Sequence, residues 1–225
     1  MRAAIFDLDD TLYEREQFVL SGFAAVADAL ERRFDLPAAS VLATLKRARG
    51  HAHEGRELQV LCAEHGLAER LIPELVDVIR YHEPTLTLGS VASAVVAQMR
   101  TDGWRLGILT NGLPATQRAK VEALGLDARV DVVLYAEEHA PGGKPSRAAF
   151  DAALAAVGVT RERAVFIGDD LVRDVQGARA AGLFTLRVAA RDTRRAEDDA
   201  DAIVVLEDVP AAAGRLVKRS GAYAA

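Results

Sequence analysis

The stretch Ala3-Ala4-Ile5-Phe6-Asp7-Leu8-Asp9-Asp10-Thr11-Leu12 decides how the rest of the chain is read. Ala3 to Phe6 is a short apolar run of the kind that forms a buried strand. It stops abruptly at Asp7, Asp9 and Asp10, three carboxylates in four positions. Unbalanced charge at the end of a buried strand is costly to fold around. In an open parallel sheet, the carboxyl ends of the strands are where ligands bind. Two readings follow. The acids hold a cation and do chemistry, or they form a solvated turn that caps the next helix.

Composition narrows the field. The chain has 225 residues, 50% of them hydrophobic, which suffices for one sizeable domain or a domain with a small insert. A net charge of −5 gives no bulk attraction to nucleic acid or to a membrane surface, and neither is expected as a partner. No apolar run approaches the ~20 residues of a membrane helix, and the first residues read as a strand rather than a signal peptide. Cys62 is the only cysteine. An intrachain disulfide is therefore impossible, and a reducing cytoplasm is the expected location. Only four of the 28 basic residues are lysines, so each lysine stands out where arginine is the default.

Beyond Leu12 the texture changes. From about Tyr13 to Glu83 the apolar positions fall at helical spacing, with Phe18, Phe23, Val26, Ala27 and Leu30 in one helix that ends near Phe34. Pro37 suits the first turn of a second helix, carrying Val41, Leu42 and Leu45. Leu58, Leu61 and Cys62 mark a third that ends at Gly66, and Leu71, Leu75, Val78 and Ile79 a fourth, stopped by Glu83-Pro84. From Leu88 helices and strands alternate. Strands are expected at Trp104–Leu109, Val130–Tyr135, Ala164–Ile167, Phe184–Val188 and Ala202–Val205. Helices are expected at Val91–Thr101, Ala115–Leu124, Arg147–Val157, Val172–Ala181 and Val209–Val217, with a frayed tail from Ser220. Such alternation implies right-handed crossovers and a parallel sheet covered on both faces. The expected fold is α/β: a doubly wound, Rossmann-like, three-layer α/β/α core, residues 1–13 and 87–225, with a small all-helical domain, residues 14–86, inserted after the first strand.

More polar groups gather at the other strand ends. Thr110-Asn111-Gly112 offers a hydroxyl, an amide and exposed backbone N–H groups at a strand-to-helix turn, which suits a phosphate oxyanion or simply caps the next helix. Gly142-Gly143-Lys144-Pro145 sets a lysine just before a helix, either aimed inward as a point charge or left in a surface loop. Gly168-Asp169-Asp170, followed by Asp174, is a second acidic cluster after a second buried strand. Two such clusters at adjacent strand ends make a hard-cation site with oxygen ligands. A helix-capping role explains one of these acids, Asp170 the best candidate, but not all three.

Taken in order, Asp-Leu-Asp-Asp-Thr, Thr-Asn-Gly, Lys-Pro and Gly-Asp-Asp-x-x-x-Asp are similar to the four motifs of the haloacid dehalogenase (HAD) superfamily. Gln117, Lys120, Leu124-Gly125-Leu126, Phe150 and Gly177-Ala178 resemble that family as well. The helical insert resembles its cap domain. The loop His139 to Gly143 departs from the pattern by being slightly longer.

The resemblance implies a phosphatase that hydrolyses a small phosphate monoester, of the sugar phosphate or nucleoside monophosphate class. It implies Asp7 as nucleophile, forming an aspartyl-phosphate, and Asp9 as general acid and base. Lys144, Thr110 and the Asn111 backbone would neutralise the transferring oxygens. Mg2+ would be held by Asp7, the backbone carbonyl of Asp9, and Asp169. Asp170 and Asp174 would stand behind these, Asp170 also being a candidate ligand. Dehalogenases of the superfamily lack the acid at Asp9, and its mutases usually carry Gly where this chain has Asp10. A phosphomutase is the alternative enzyme. A non-catalytic regulator that binds a phosphorylated metabolite is the alternative of another class. The helical insert is expected to move as a lid on hinges near Tyr13–Glu14 and Pro84–Leu88. Within it Arg47, Arg49, His51 and His53 either meet a second anionic group of the substrate or form a solvated helix end. The leaving group stays open, and so does the choice between monomer and homodimer.

Overall fold

The computed structural model describes residues 1–50, 55–189 and 199–222, with side chains as far as residue 218. The chain forms two compact units: Met1–Glu14 with Thr87–Ala225, and Arg15–Leu86.

The first unit is built on a six-stranded parallel sheet. In chain order its elements are β1 (Arg2–Phe6), α5 (Ser90–Thr101), β2 (Trp104–Thr110), α6 (Pro114–Ala123), β3 (Val132–Tyr135), α7 (Ala136–His139), α8 (Arg147–Val157), β4 (Ala164–Gly168), α9 (Gly177–Ala180), β5 (Phe184–Val188), β6 (Ala202–Val204) and α10 (Val209–Ala222). The second unit supplies α1 (Glu16–Phe34), α2 (Ala38–Arg49), α3 (Glu57–Glu64) and α4 (Ile72–Tyr81). The strand order β3-β2-β1-β4-β5-β6 puts β1 in the middle. Successive connections leave β1 in opposite directions across the sheet, so the ends of β1 and β4 form its switch point. Phe6 pairs with Ile167 there, which brings the residues after both strands side by side.

A central strand between two helical layers has no polar face. Ala3, Ala4, Ile5 and Phe6 are accordingly fully buried. Helices α8 and α9 cover one face through Ala149, Phe150, Ala153 and Ala178, against Ala3, Ile5, Ala164 and Phe166. On the other face α5 and α10 pack together. The helical unit has its own core, where Phe23, Val26 and Leu30 meet Val41, Leu45, Leu61 and Leu75. Among the described residues no helix is long and apolar enough to cross a membrane.

Several local features differ from the sequence pattern, each for a physical reason. β3 starts at Val132 rather than Val130, because Asp131 turns its carboxylate onto the Leu106 N–H (2.7 Å). The one-turn helix α7 shows no periodicity to read. Where one α-helix was expected over Val172–Ala181, a π-helical turn, Leu171–Gln176, leads into α9. α10 runs on through Ser220 to Ala222, since extending a formed helix costs little per residue.

The junction of the π-turn with α9 presses Gly177 against the chain that precedes α8. A Cβ at Gly177 would lie 2.9 Å from Pro145 Cα and 2.8 Å from Phe150 Cε2. Gly177→Val should therefore destabilise the protein by about 1–3 kcal/mol through overpacking. Urea denaturation measures this, and a variant as stable as wild type would show that the contact is loose.

Candidate active site

Asp7 follows β1 directly. Its N–H donates to Ile167 O (2.8 Å), so the strand pairing carries one residue past Phe6 and fixes the root of the side chain. The chain then turns sharply. Asp10 adopts φ 58°, a left-handed conformation that Asp tolerates better than most residues. Leu12 N–H returns to Leu8 O (3.0 Å). Leu8 and Leu12 are buried, and this apolar anchoring holds the acids at the rim of the sheet.

Lys144 reaches the same place from a loop distant in sequence. Its Nζ lies 2.5 Å from Asp7 Oδ1 and 2.7 Å from Asp174 Oδ1, with only 3% of the residue exposed. The Asn111 amide clamps the lysine's backbone: Nδ2 donates to Lys144 O (2.9 Å), and Lys144 N–H donates to Asn111 Oδ1 (2.8 Å). Gly142 and Gly143 take φ 78° and 62°. A Cβ at Gly143 would stand 2.6 Å from Asn111 Oδ1, so only glycine lets the clamp close. From this left-handed pair Lys144 arrives at Asp7.

The second acidic cluster divides its work. The Asp170 carboxylate accepts from the N–H groups of Val172 (2.9 Å) and Arg173 (2.8 Å), which makes it a helix cap. Asp174 is 1% exposed, and its second oxygen accepts from Asp170 N–H (3.1 Å). A Cβ on Gly168 would lie 2.3 Å from that oxygen, so glycine at the end of β4 makes room for Asp174. Asp169 accepts from Thr11 Oγ1 (3.4 Å), and its backbone carbonyl from Arg187 Nε (3.1 Å).

Asp7, Asp169 and Asp174 each present a carboxylate oxygen, all within 4.8 Å of one another. Among the described residues Lys144 pairs with two of these three carboxylates, which leaves negative charge in surplus. The electrostatics record this surplus. Burial raises the Asp7 carboxyl to about 7 and Asp174 adds to the rise, although Lys144 pulls the other way. Burial, with Asp7 and Asp10 nearby, raises Asp169 to about 6. For Lys144, burial alone would lower the pKa, but Asp7 and Asp174 outweigh it and hold the ammonium charged. Crowded hard oxygen donors with surplus negative charge fit a divalent cation such as Mg2+. Asp174, expected only behind the ligands, thus has an oxygen within the cluster.

Asp9 lies apart from that cluster. Its carboxylate accepts from Lys120 Nζ (2.7 and 3.0 Å), Gln117 Nε2 (2.8 Å) and Tyr13 Oη (2.6 Å). Burial would raise this carboxyl, but the Lys120 charge and the hydrogen bonds from Lys120, Tyr13 and Gln117 hold it below its usual range. Thr110 is buried, and its Oγ1 accepts from Gln117 Nε2 (2.6 Å). The sequence had marked Gln117 and Lys120 without giving them a role. The scarcity of lysine, together with the spacing of three that puts both on one face of α6, was the available signal. Glu137, whose Oε1 accepts from Gly112 N–H (2.7 Å), was missed because α7 was.

In the helical unit the candidate basic residues are occupied locally. Arg47 pairs with Glu64, and Arg49 with Glu16 (2.7 Å) and Glu57 (3.0 Å). His51 and His53 lie outside the described residues. Cys62 is buried in that unit.

Residues 1–182 match the family model for haloacid dehalogenase-like hydrolases. A glyceraldehyde 3-phosphate phosphatase of Methanopyrus kandleri is 31% identical over 206 residues, covering 84% of each chain. A phosphoserine phosphatase of Thermus thermophilus is 34% identical over 156 residues, 69% of this chain and 61% of the relative. The fold is similar to that of the HAD-hydrolase YfnB of Bacillus subtilis. That structure, bound to magnesium, reveals interdomain movement (TM-score 0.66, 20% identity, 94% and 98% of the two chains covered).

The charge surplus has a measurable consequence. Without metal, the folded protein holds the Asp7 proton up to about 7, against an ordinary value of 3.8. Between those values the folded state binds more protons than the unfolded state, so stability falls as pH rises. The contribution is complete below 3.8 and lost above about 7. Asp7→Asn removes this titration. In thermal melts of metal-free protein, the variant should gain on wild type steadily across that window. A difference that stays constant with pH would contradict the carboxylate crowding.

Proposed function

The chain belongs to the haloacid dehalogenase-like hydrolases, and we propose that it is a Mg2+-dependent phosphatase that cleaves a small phosphate monoester through an aspartyl-phosphate on Asp7. The observation that carries this reading is the pairing of two carboxylates, two residues apart, with different cations. Asp7 shares Lys144 with Asp174, and Asp9 has Lys120. In this reading Asp7 is the nucleophile and Asp9 the group that transfers a proton.

In this reading Asp7 Oδ attacks phosphorus in line with the leaving oxygen. The P–O bond to the substrate breaks as the bond to Asp7 forms. Lys144, already at 2.5 Å from Asp7, meets the phosphoryl oxygens with a fixed positive charge, and Thr110 and the Asn111 backbone supply further donors. Asp9, ionised beside Lys120 before the ester binds, takes up a proton from solvent as the ester enters and gives it to the departing alkoxide. It then takes one from the water that hydrolyses the aspartyl-phosphate. Asp7 and Asp169, with the Asp9 carbonyl, would hold Mg2+, which supplies charge neutralisation at the transferring phosphoryl group.

The relatives named for glyceraldehyde 3-phosphate and phosphoserine support a small phosphorylated metabolite as substrate. The helical unit serves as the cap. Its insertion directly after the Asp7 loop and the interdomain movement in YfnB support that role.

Wild type should hydrolyse p-nitrophenyl phosphate with Mg2+, and Asp7→Asn should fall to background while keeping its fold by circular dichroism. Near wild-type turnover in the variant would exclude Asp7 as nucleophile. Replacing Mg2+ by Ca2+ at saturation should inhibit. Mg2+ at ~2.0–2.1 Å takes one carboxylate oxygen, whereas Ca2+ at ~2.3–2.6 Å accepts both and would occupy the attacking one. Equal rates with the two cations would remove the dual role of Asp7.

A further inference from the structure

Three donors meet the Asp9 carboxylate that the mechanism above does not use. Lys120, Gln117 and Tyr13 are 5%, 2% and 5% exposed. They approach from two sides: Tyr13 from the turn after the acids, Gln117 and Lys120 from one face of α6. Oδ1 accepts from Tyr13 (2.6 Å) and Lys120 (2.7 Å), and Oδ2 from Gln117 (2.8 Å) and Lys120 (3.0 Å). Gln117 Nε2 also lies 2.6 Å from Thr110 Oγ1. One buried amide therefore ties Asp9 to the hydroxyl assigned to the phosphoryl oxygens.

A buried carboxylate needs partners in any protein. This one has more than it needs, and the strongest is a buried lysine in a chain that uses lysine four times among 28 basic residues. Burying an ammonium beside it is costly unless the geometry is good, and in return the carboxylate is held in one orientation. We propose that Lys120, with Gln117 and Tyr13, positions the Asp9 carboxylate beside Thr110, where it faces the leaving oxygen of the phosphate ester. The proposal rests on the phosphatase reading and adds positioning residues to it.

The test separates positioning from mere support. kcat/KM is measured with saturating Mg2+ for p-nitrophenyl phosphate and phenyl phosphate, two esters of similar shape whose leaving groups differ in basicity. This constant covers the steps up to transfer onto Asp7. Nitrophenolate departs without help, whereas the more basic phenolate needs a proton. In Lys120→Met the Asp9 carboxyl is protonated more readily but no longer held in place, and the loss of position should lower the phenyl-to-nitrophenyl ratio about tenfold, part of the ~10²–10⁴ that acid–base catalysis contributes. Gln117→Leu and Tyr13→Phe should shift it less, and Asp9→Asn sets the full size of the shift. Both esters are measured on one preparation, so any misfolded fraction cancels. If Lys120→Met does not fold, Tyr13→Phe, which removes one hydroxyl, carries the same test. A ratio that stays unchanged or rises in active variants overturns the positioning role alone. A wild type inactive on both esters removes the phosphatase reading and this proposal with it.

Discussion

A buried ammonium between two buried carboxylates governs this structure. Lys144 Nζ lies 2.5 Å from Asp7 and 2.7 Å from Asp174, and the exposure of the three residues is 3%, 7% and 1%. Charges so far from water are tolerated only when geometry and hydrogen bonding are nearly complete. Much of the local structure answers to that requirement. The Asn111 amide holds the lysine's backbone, and Gly143 gives the amide space. Gly168 makes room for Asp174, and Gly177 lets α9 close on Pro145, the residue after the lysine. These glycines come from a loop, a strand end and a helix start, yet each serves one ion cluster.

The cluster is not electrically complete. Asp7, Asp169 and Asp174 outnumber Lys144, and burial raises the Asp7 and Asp169 carboxyls to about 7 and about 6. Asp9, two residues from Asp7, is shifted the opposite way by Lys120. Without a cation, Asp7 is therefore the more readily protonated of the two and Asp9 the ionised one. A divalent cation would supply the missing charge and favour ionised Asp7, so binding it and releasing the Asp7 proton are linked.

What could be read in the sequence followed from strong local contrast. An apolar run that stops at several acids marks a strand end, and the sequence showed two, at Phe6 and at Ile167. The order β2-β1-β4 bears out the parallel, doubly wound sheet and sets the two strand ends side by side. The contacts that lack such contrast stayed hidden. Asn111 reads as a phosphate donor in sequence, but its side chain grips Lys144. That needs a left-handed Gly142-Gly143 pair whose effect is visible only in three dimensions. The π-turn at Leu171–Gln176 replaces a regular helix because Asp170 accepts from the N–H groups of both Asp174 (3.1 Å) and Val175 (3.1 Å) through its carbonyl. No periodicity announces an i+5 bond. Lys120 was marked in sequence, but Asp9 as its partner is a contact across 111 residues.

The central claim is that the Asp7 carboxylate becomes covalently bonded to phosphorus during turnover. Rapid-quench experiments test it directly. Wild-type protein and Mg2+ are mixed with excess phosphate ester, stopped with acid within one turnover, digested, and weighed by mass spectrometry. The account predicts a transient phosphoryl group on the peptide that contains Asp7, at that residue by fragmentation, and its absence in Asp7→Asn. A burst of alcohol release with no phosphoryl group on Asp7, or with the group on another residue, would contradict it.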